Sequence, residues 1–167
     1  MKKYISIFAL TLGLCLGFAS CNTETNEPAG GTAVEKMAGH WVVVADIIED
    51  GEVYEDPNGI GTWDLYTYNT ADDSKDQMWL SDFDNFWAFT LKVDIDLNAK
   101  TFSVNHGYMY TDGDDVDQFC TITDGQIIEN GGLNVNDKLT DAIEFKIEFT
   151  DDPGTIYYIH GVRYAGF

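Results

Sequence analysis

The sequence predicts an all-β fold: an antiparallel up-and-down β-barrel of eight to ten strands with little helix. Three observations predict it. From residue 37 onward apolar residues recur at every second position. Asp-Gly, Asn-Gly and Pro-Gly steps interrupt these runs at short intervals, as hairpins require. No stretch carries the 3.6-residue apolar stripe of an amphipathic helix, and residues 72–78 and 82–86 have room for one turn at most. A meander of linked strands leaves unpaired edges unless the sheet closes or is sandwiched, and closure is the expected solution.

The chain opens with Lys2 and Lys3, then an apolar run from Tyr4 to Gly17, then small residues. This is the pattern of a secretory leader over residues 1–20, too short for a comfortable membrane span. The run ends in Phe18-Ala19-Ser20-Cys21, which resembles the bacterial lipoprotein signal box and differs from it at Phe18, where Leu is usual. The resemblance implies that the Cys21 thiol receives a diacylglycerol and becomes the N-terminus. Several acyl chains on one residue meet the requirement for stable anchoring. Residues 21–36 then read as the lipidated end and a polar, flexible tether, and residues 37–167 as the barrel. The expected location is the cell envelope, at a membrane (the outer one by preference), with the periplasmic or surface face left open. Glu24 and Glu27 resemble the acidic export signals of Bacteroidetes surface lipoproteins.

The strands follow in order. Trp41, Val43, Ala45 and Ile47 share one face of the first, and Asp50-Gly51 turns it toward a short run at Glu52–Glu55. Trp63, Leu65 and Thr67 alternate with Asp64, Tyr66 and Tyr68. Phe89, Leu91, Val93 and Ile95 alternate with Thr90, Lys92, Asp94 and Asp96, and residues 97–100 lead to Phe102, Val104, His106 and Tyr108 on one face. Asp112-Gly113, Asp124-Gly125, Asn130-Gly131-Gly132 and Asp151-Asp152-Pro153-Gly154 all read as turns. The cleanest alternation is Ile143, Phe145, Ile147 and Phe149 against Glu144, Lys146 and Glu148. A last strand covers residues 155–164.

Charge excludes whole classes of partner. Acidic residues number 29 against nine basic ones among 167, a net charge of −20. Removing residues 1–20 takes two lysines and no acid, leaving seven against 29, or −22. Nucleic acid is excluded, because phosphate binding needs clustered Lys and Arg. Simple adhesion to anionic lipid is excluded as well, so contact with the membrane is through the acyl anchor. Cys15 leaves with the leader and Cys21 carries lipid, so Cys120 is alone in the mature chain. It reads as a buried filler, without a disulfide partner or a metal cluster.

Gly39-His40-Trp41 opens the first strand and Arg163, the sole arginine, ends the last. This is similar to the lipocalin and calycin signature, in which a basic residue from the final strand lies on the indole of a G-x-W. Closure supports the pairing independently, because the last strand of a closed antiparallel meander meets the beginning of the first. Gly39, Trp41 and Arg163 are thus the expected barrel-closing group, with a cation–π contact. With Gly61-Thr62-Trp63 and Phe83-Asp84-Asn85-Phe86-Trp87, residues 33–167 resemble a family of small Bacteroidetes lipoproteins described as lipid-binding putative hydrolases with a calycin-like barrel.

A barrel of this size is just wide enough to enclose a small ligand. Inward alternation nominates Trp63, Leu65, Phe89, Leu91, Phe102, Val104, His106 and Tyr108 as its lining, with Trp87 at the open end and Thr67 as a polar contact. The expected partner is a small apolar or amphiphilic molecule, neutral or cationic given the charge; no cofactor is called for. The competing reading is a solid core, since the chain holds ten Phe, nine Tyr and four Trp. In that case Tyr66, Tyr68, Tyr157 and Tyr158, which include outward aromatics, suit a glycan- or protein-binding surface.

Hydrolysis of a lipid or ester is the alternative that the resemblance implies, but no catalytic residue can be named. The mature domain has Ser74, Ser81 and Ser103 with His40, His106 and His160, without a G-x-S-x-G elbow, and alternation sends Ser103 and His106 to opposite faces. Asp94-Ile95-Asp96-Leu97-Asn98 has calcium-loop spacing, but Ala99 and Asn105 stand where Gly and Glu are needed. Asp112, Asp114, Asp115 and Asp117 lack the same two residues. No metal site is assigned.

Overall fold

The computed structural model describes residues 30–110 and 118–166. The leader, Cys21, the tether as far as residue 29 and the Asp112–Asp117 segment lie outside them. Residues 31–167 form a compact unit with its own core and a sheet closed on itself, the properties of a self-sufficient folding unit.

Nine strands are present among the described residues: β1 (Gly39–Glu49), β2 (Glu52–Tyr54), β3 (Trp63–Asn69), β4 (Gln77–Ser81), β5 (Thr90–Asp96), β6 (Thr101–Met109), β7 (Gln118–Leu133), β8 (Leu139–Phe149) and β9 (Ile156–Arg163). They pair in the order β2-β1-β3-β4-β5-β6-β7-β8-β9, every pair antiparallel, and β9 returns to β1 with Trp41 opposite Arg163. Eight strands therefore close a ring. The ninth, β2, shares one edge of β1 with β3: β3 covers Gly39–Val43 and β2 covers Ile47–Glu49. An even ring is what an antiparallel meander needs to close.

Alternation places the core. Ile143, Phe145, Ile147 and Phe149 of β8 are all buried, as are Leu91 and Val93 of β5 and Trp41, Val43 and Ala45 of β1. Asp50 and Gly51, with φ of 52° and 83°, make the hairpin that two left-handed residues favour.

Two readings of the sequence are corrected by the strands. Asp124-Gly125 and Asn130-Gly131-Gly132 are not hairpin turns. Both lie inside the sixteen-residue β7, where the register with β8 shifts between Thr123 and Gln126 and again between Ile128 and Gly132. Asp124 and Asn130 do take positive φ, 55° and 51°, but a bulge needs that geometry as much as a turn does. The chain reverses at Asn134–Lys138 instead, where the Asn134 carboxamide oxygen accepts the N–H groups of Asn136 and Lys138.

The second correction is in β6. His106 takes φ of 55° and the pairing with β7 slips between Val104 and Gly107. From that bulge on, the faces exchange. Gly107 and Met109 point in, whereas His106 and Tyr108, expected inside, are exposed. Ser103 and His106 are both exposed, so parity does not separate them. Of the adjacent tyrosines of β9, Tyr157 is the inward residue, 4% exposed, and Tyr158 faces out.

The register defines two ends. The base holds the beginning of β1, the end of β9 and the connections 70–76, 97–100 and 134–138. The mouth holds the end of β1 and the connections 55–62, 82–89 and 150–155. The base is sealed. Residues 33–37 make a turn beneath it that buries Val34 and Met37, so the packed chain begins before residue 37. The Trp41 indole donates to Thr67 Oγ1 (2.9 Å), which donates to the Met37 carbonyl (2.6 Å). The Arg163 guanidinium lies 4.4 Å from the Trp41 ring and donates to the Ala38 carbonyl (2.7 Å). It crosses Gly39 where any Cβ would collide with it.

Above the base the interior is filled. Trp41, Leu65, Leu80, Phe89, Leu91, Ile143, Phe145 and Phe149 have no accessible surface. A void large enough for water would leave such surface on its lining, so the barrel around these side chains is a packed core.

Candidate functional site

The mouth gathers an aromatic cluster. Trp63, the first residue of β3, stacks on Phe86 (5.4 Å between centroids, 9° between planes) and meets Phe89 edge-on. Trp87 stacks on Phe149 at 4.5 Å, and both contact Tyr157. Phe86 touches Trp87, Phe149 and Tyr157 as well. Phe86 and Trp87 are only half-buried and ride on the connection between β4 and β5.

One carboxylate organises that connection. Asp82 is fully buried, and its Oδ2 accepts the N–H groups of Phe86 (2.9 Å) and Trp87 (2.8 Å) while Oδ1 accepts that of Asp84 (3.2 Å). Burial raises its pKa above 3.8, outweighing the lowering by these backbone donors. The Asp-x-x-x-Phe-Trp spacing brings this about, since an Asx-type carboxylate reaches donors two to five residues on. Phe83, Asp84 and Ala88 all take positive φ, 47°, 64° and 53°, which L residues adopt only when the surroundings hold them there.

Two further carboxylates edge the site. The Trp87 indole donates to Asp151 (3.3 Å to each oxygen), and the Tyr157 hydroxyl donates to Asp152 (2.7 Å). Burial first, then Asp152, raises the Tyr157 pKa, so the phenol stays protonated and remains a donor. The Trp63 indole nitrogen differs from these: it is buried and has no hydrogen-bond partner among the described residues.

Of the residues nominated from sequence, Trp63, Trp87 and Phe89 come together at the mouth. Leu65 and Leu91 are in the core below, Phe102 packs against Phe145 (5.6 Å), and Val104 lies at the core's margin. His106 and Tyr108 do not join them; outside the barrel they flank Phe119, with His106 stacked on it at 4.1 Å. Thr67 is committed to the base. Sequence reasoning missed Phe149 and Tyr157 as members and Asp82 as the anchor. Phe149 was legible as the last inward residue of the cleanest strand; Asp82 carried no signal beyond its place before Phe83–Trp87.

The groups that acid–base or nucleophilic chemistry would use have other partners. His40 Nε2 bonds Asp64 (2.8 Å) and its ring stacks on Tyr66; His160 Nε2 bonds Asp46 (2.9 Å). Ser81 Oγ bonds Thr90 Oγ1 (2.6 Å), and Ser74 Oγ accepts the Asp76 N–H. No serine bonds a histidine among the described residues. The Cys120 thiol is buried and burial pushes its pKa up to about 12, which leaves it protonated and inert. In the calcium-like stretch Asp96 accepts the N–H groups of Asn98 and Ala99, and Asp94 accepts from Gln77. No three acidic, His or Cys side chains converge as a metal cage among the described residues.

Outside the barrel Tyr68, Trp79, Tyr110, Tyr108, Phe119 and His106 form a continuous chain of ring contacts across the sheet. Comparison with known proteins adds one finding: residues 26–167 match the family described as "Lipid-binding putative hydrolase". No curated protein matches the chain.

Proposed function

We propose, from the premise that this chain belongs to the lipid-binding putative hydrolase family, that it binds a small apolar or amphiphilic molecule without transforming it. Binding takes place at the mouth of the barrel. The observation that carries this reading is the contrast between the two ends. At the base, every buried polar group of the Trp41–Thr67–Met37 chain is bonded and the guanidinium locks the seam. At the mouth, half-buried rings on a connection cover an apolar interior.

With the interior packed, a ligand enters by moving those rings, Phe86 first, and takes their place against Phe89, Phe149 and Tyr157. Charge selects against anions. Asp82, Asp84, Asp151 and Asp152 surround the rings, and Arg163, the cation that a carboxylate would seek, is engaged at the base. A neutral or cationic ligand therefore suits the site better than a free fatty acid. An acyl group on Cys21 would hold the domain at the cell envelope, with residues 22–30 as the tether.

Native mass spectrometry of protein purified from its host tests the reading. A mass excess that denaturation releases, together with displacement of a fluorescent uncharged acyl probe, is the expected result. A homogeneous apo mass with no probe binding overturns it. Palmitate labelling of the native chain and of Cys21→Ala tests the anchor: label on both, or on neither, removes it.

A further inference from the structure

The chemistry of the bound molecule can be taken one step further, on the premise that the mouth binds a ligand. We propose that residues Phe83–Ala88 are a displaceable plug, and that the ligand is an uncharged acyl ester whose oxygen accepts the hydrogen bond that Trp63 Nε1 lacks. Trp63 is 6% exposed and its N–H finds no acceptor among the described residues. The indoles of Trp41 and Trp87 both have one, in Thr67 and Asp151. Buried donors are nearly always paired, and an unpaired one in a native fold needs an explanation. Here the ring lying on Trp63 is Phe86, which offers no acceptor in its plane and belongs to the one connection among the described residues built on three left-handed non-glycine residues.

Those observations describe a closed state in which two features await a ligand. Displacing Phe86 exposes the face of Trp63 together with Phe89, Phe149 and Tyr157, an apolar wall suited to an acyl chain. It also opens a path for an acceptor to Nε1. Release of the segment relaxes Phe83, Asp84 and Ala88, while the Asp82 carboxylate keeps a pivot for its return. An indole N–H only donates, so the ligand atom must be an acceptor. The carboxylates around the mouth repel a free acid, and a hydrocarbon offers no acceptor. An ester oxygen meets both conditions.

The test uses residues 22–167, which contain the whole self-sufficient unit, with monolaurin, laurate and dodecane as probes. Calorimetric titration is expected to show monolaurin binding at least about tenfold tighter than either of the others. Trp63→Phe should lower monolaurin affinity by about tenfold more than it lowers dodecane affinity, the size of one lost hydrogen bond. Phe86→Ala should strengthen monolaurin binding, because the plug no longer competes. The indole ¹⁵N–H resonance of native Trp63 supplies a readout that needs no substitution: it should move downfield with monolaurin and stay put with dodecane. Monolaurin binding that Trp63→Phe does not weaken, or that leaves this resonance in place, overturns the inference while the binding function stands. If no probe binds either the native chain or Phe86→Ala, the binding function itself falls and the inference with it.

Discussion

Arg163→Ala is the sharpest test of how the barrel is closed. The guanidinium makes three kinds of contact at the seam. Its cation–π contact with Trp41 at 4.4 Å contributes about 0.5–2 kcal/mol. Its charge-assisted hydrogen bond to the Ala38 carbonyl contributes about 1.5–3 kcal/mol. Its pair with Asp141 (3.3 Å, both side chains roughly 30% exposed) adds about 0.2–1 kcal/mol, the low end for screened pairs. One side chain makes all three, so the terms do not simply add. A loss of about 2–4 kcal/mol is expected, a large share of the roughly 5–15 kcal/mol that holds a domain together. Urea unfolding of residues 22–167, followed by tryptophan fluorescence and circular dichroism, should show a lower midpoint at unchanged m. Arg163→Lys should fall between, since an ammonium keeps the charge but not the planar fork. Asp141→Ala should cost less than about 1 kcal/mol. If Arg163→Ala costs no more than Asp141→Ala, the seam is not held by the indole and the Ala38 carbonyl, and the reasoning fails.

Three further outcomes follow from the packing and the titrating groups. Gly161→Ala should destabilise the chain by about 3 kcal/mol or prevent folding, because the new Cβ falls on the Val42 carbonyl and within 2.6 Å of Val43 Cα in the β1 backbone; Gly30→Ala, with nothing within 4 Å, is the control, and equal unfolding midpoints for the two would refute it. Asp82 has a folded pKa raised by burial, so its contribution to stability is fullest below 3.8 and is lost as pH rises through the folded value. The stability of the native protein relative to Asp82→Asn should accordingly increase from pH 7 to pH 4 in urea titrations, and a constant or shrinking difference would contradict the burial argument. Cys120, with its thiol pushed up to about 12, should resist Ellman's reagent in the folded 22–167 chain at pH 8 and react once urea unfolds it; rapid modification of the folded protein would show that the site is open.

Much of the site was legible because strands alternate, and the limits of that reading have identifiable causes. Trp63, Leu65, Phe89 and Leu91 could be assigned to the interior by counting in twos. The same count failed at His106 and Tyr108, since one bulge reverses every face beyond it. Asp124-Gly125 and Asn130-Gly131 misled for a related reason: residues that tolerate positive φ suit a hairpin and a bulge equally, and only the neighbouring strand determines which forms. The plug was visible as a cluster of aromatics at Phe83–Trp87 but not as a plug, because its anchor, Asp82, works through local backbone donors that no spacing distinguishes from any other acidic turn.

By itself, then, the order of residues determined an all-β chain, its direction of closure, the Trp41–Arg163 meeting and the strongly negative surface, because period, hairpin chemistry and net charge are local or additive properties. Whether the interior is full, which aromatics turn outward after a bulge, and which indole is left without an acceptor were decided only by the folded barrel. Those are questions of volume and of pairing between residues tens of positions apart, and they have no answer until the strands are side by side.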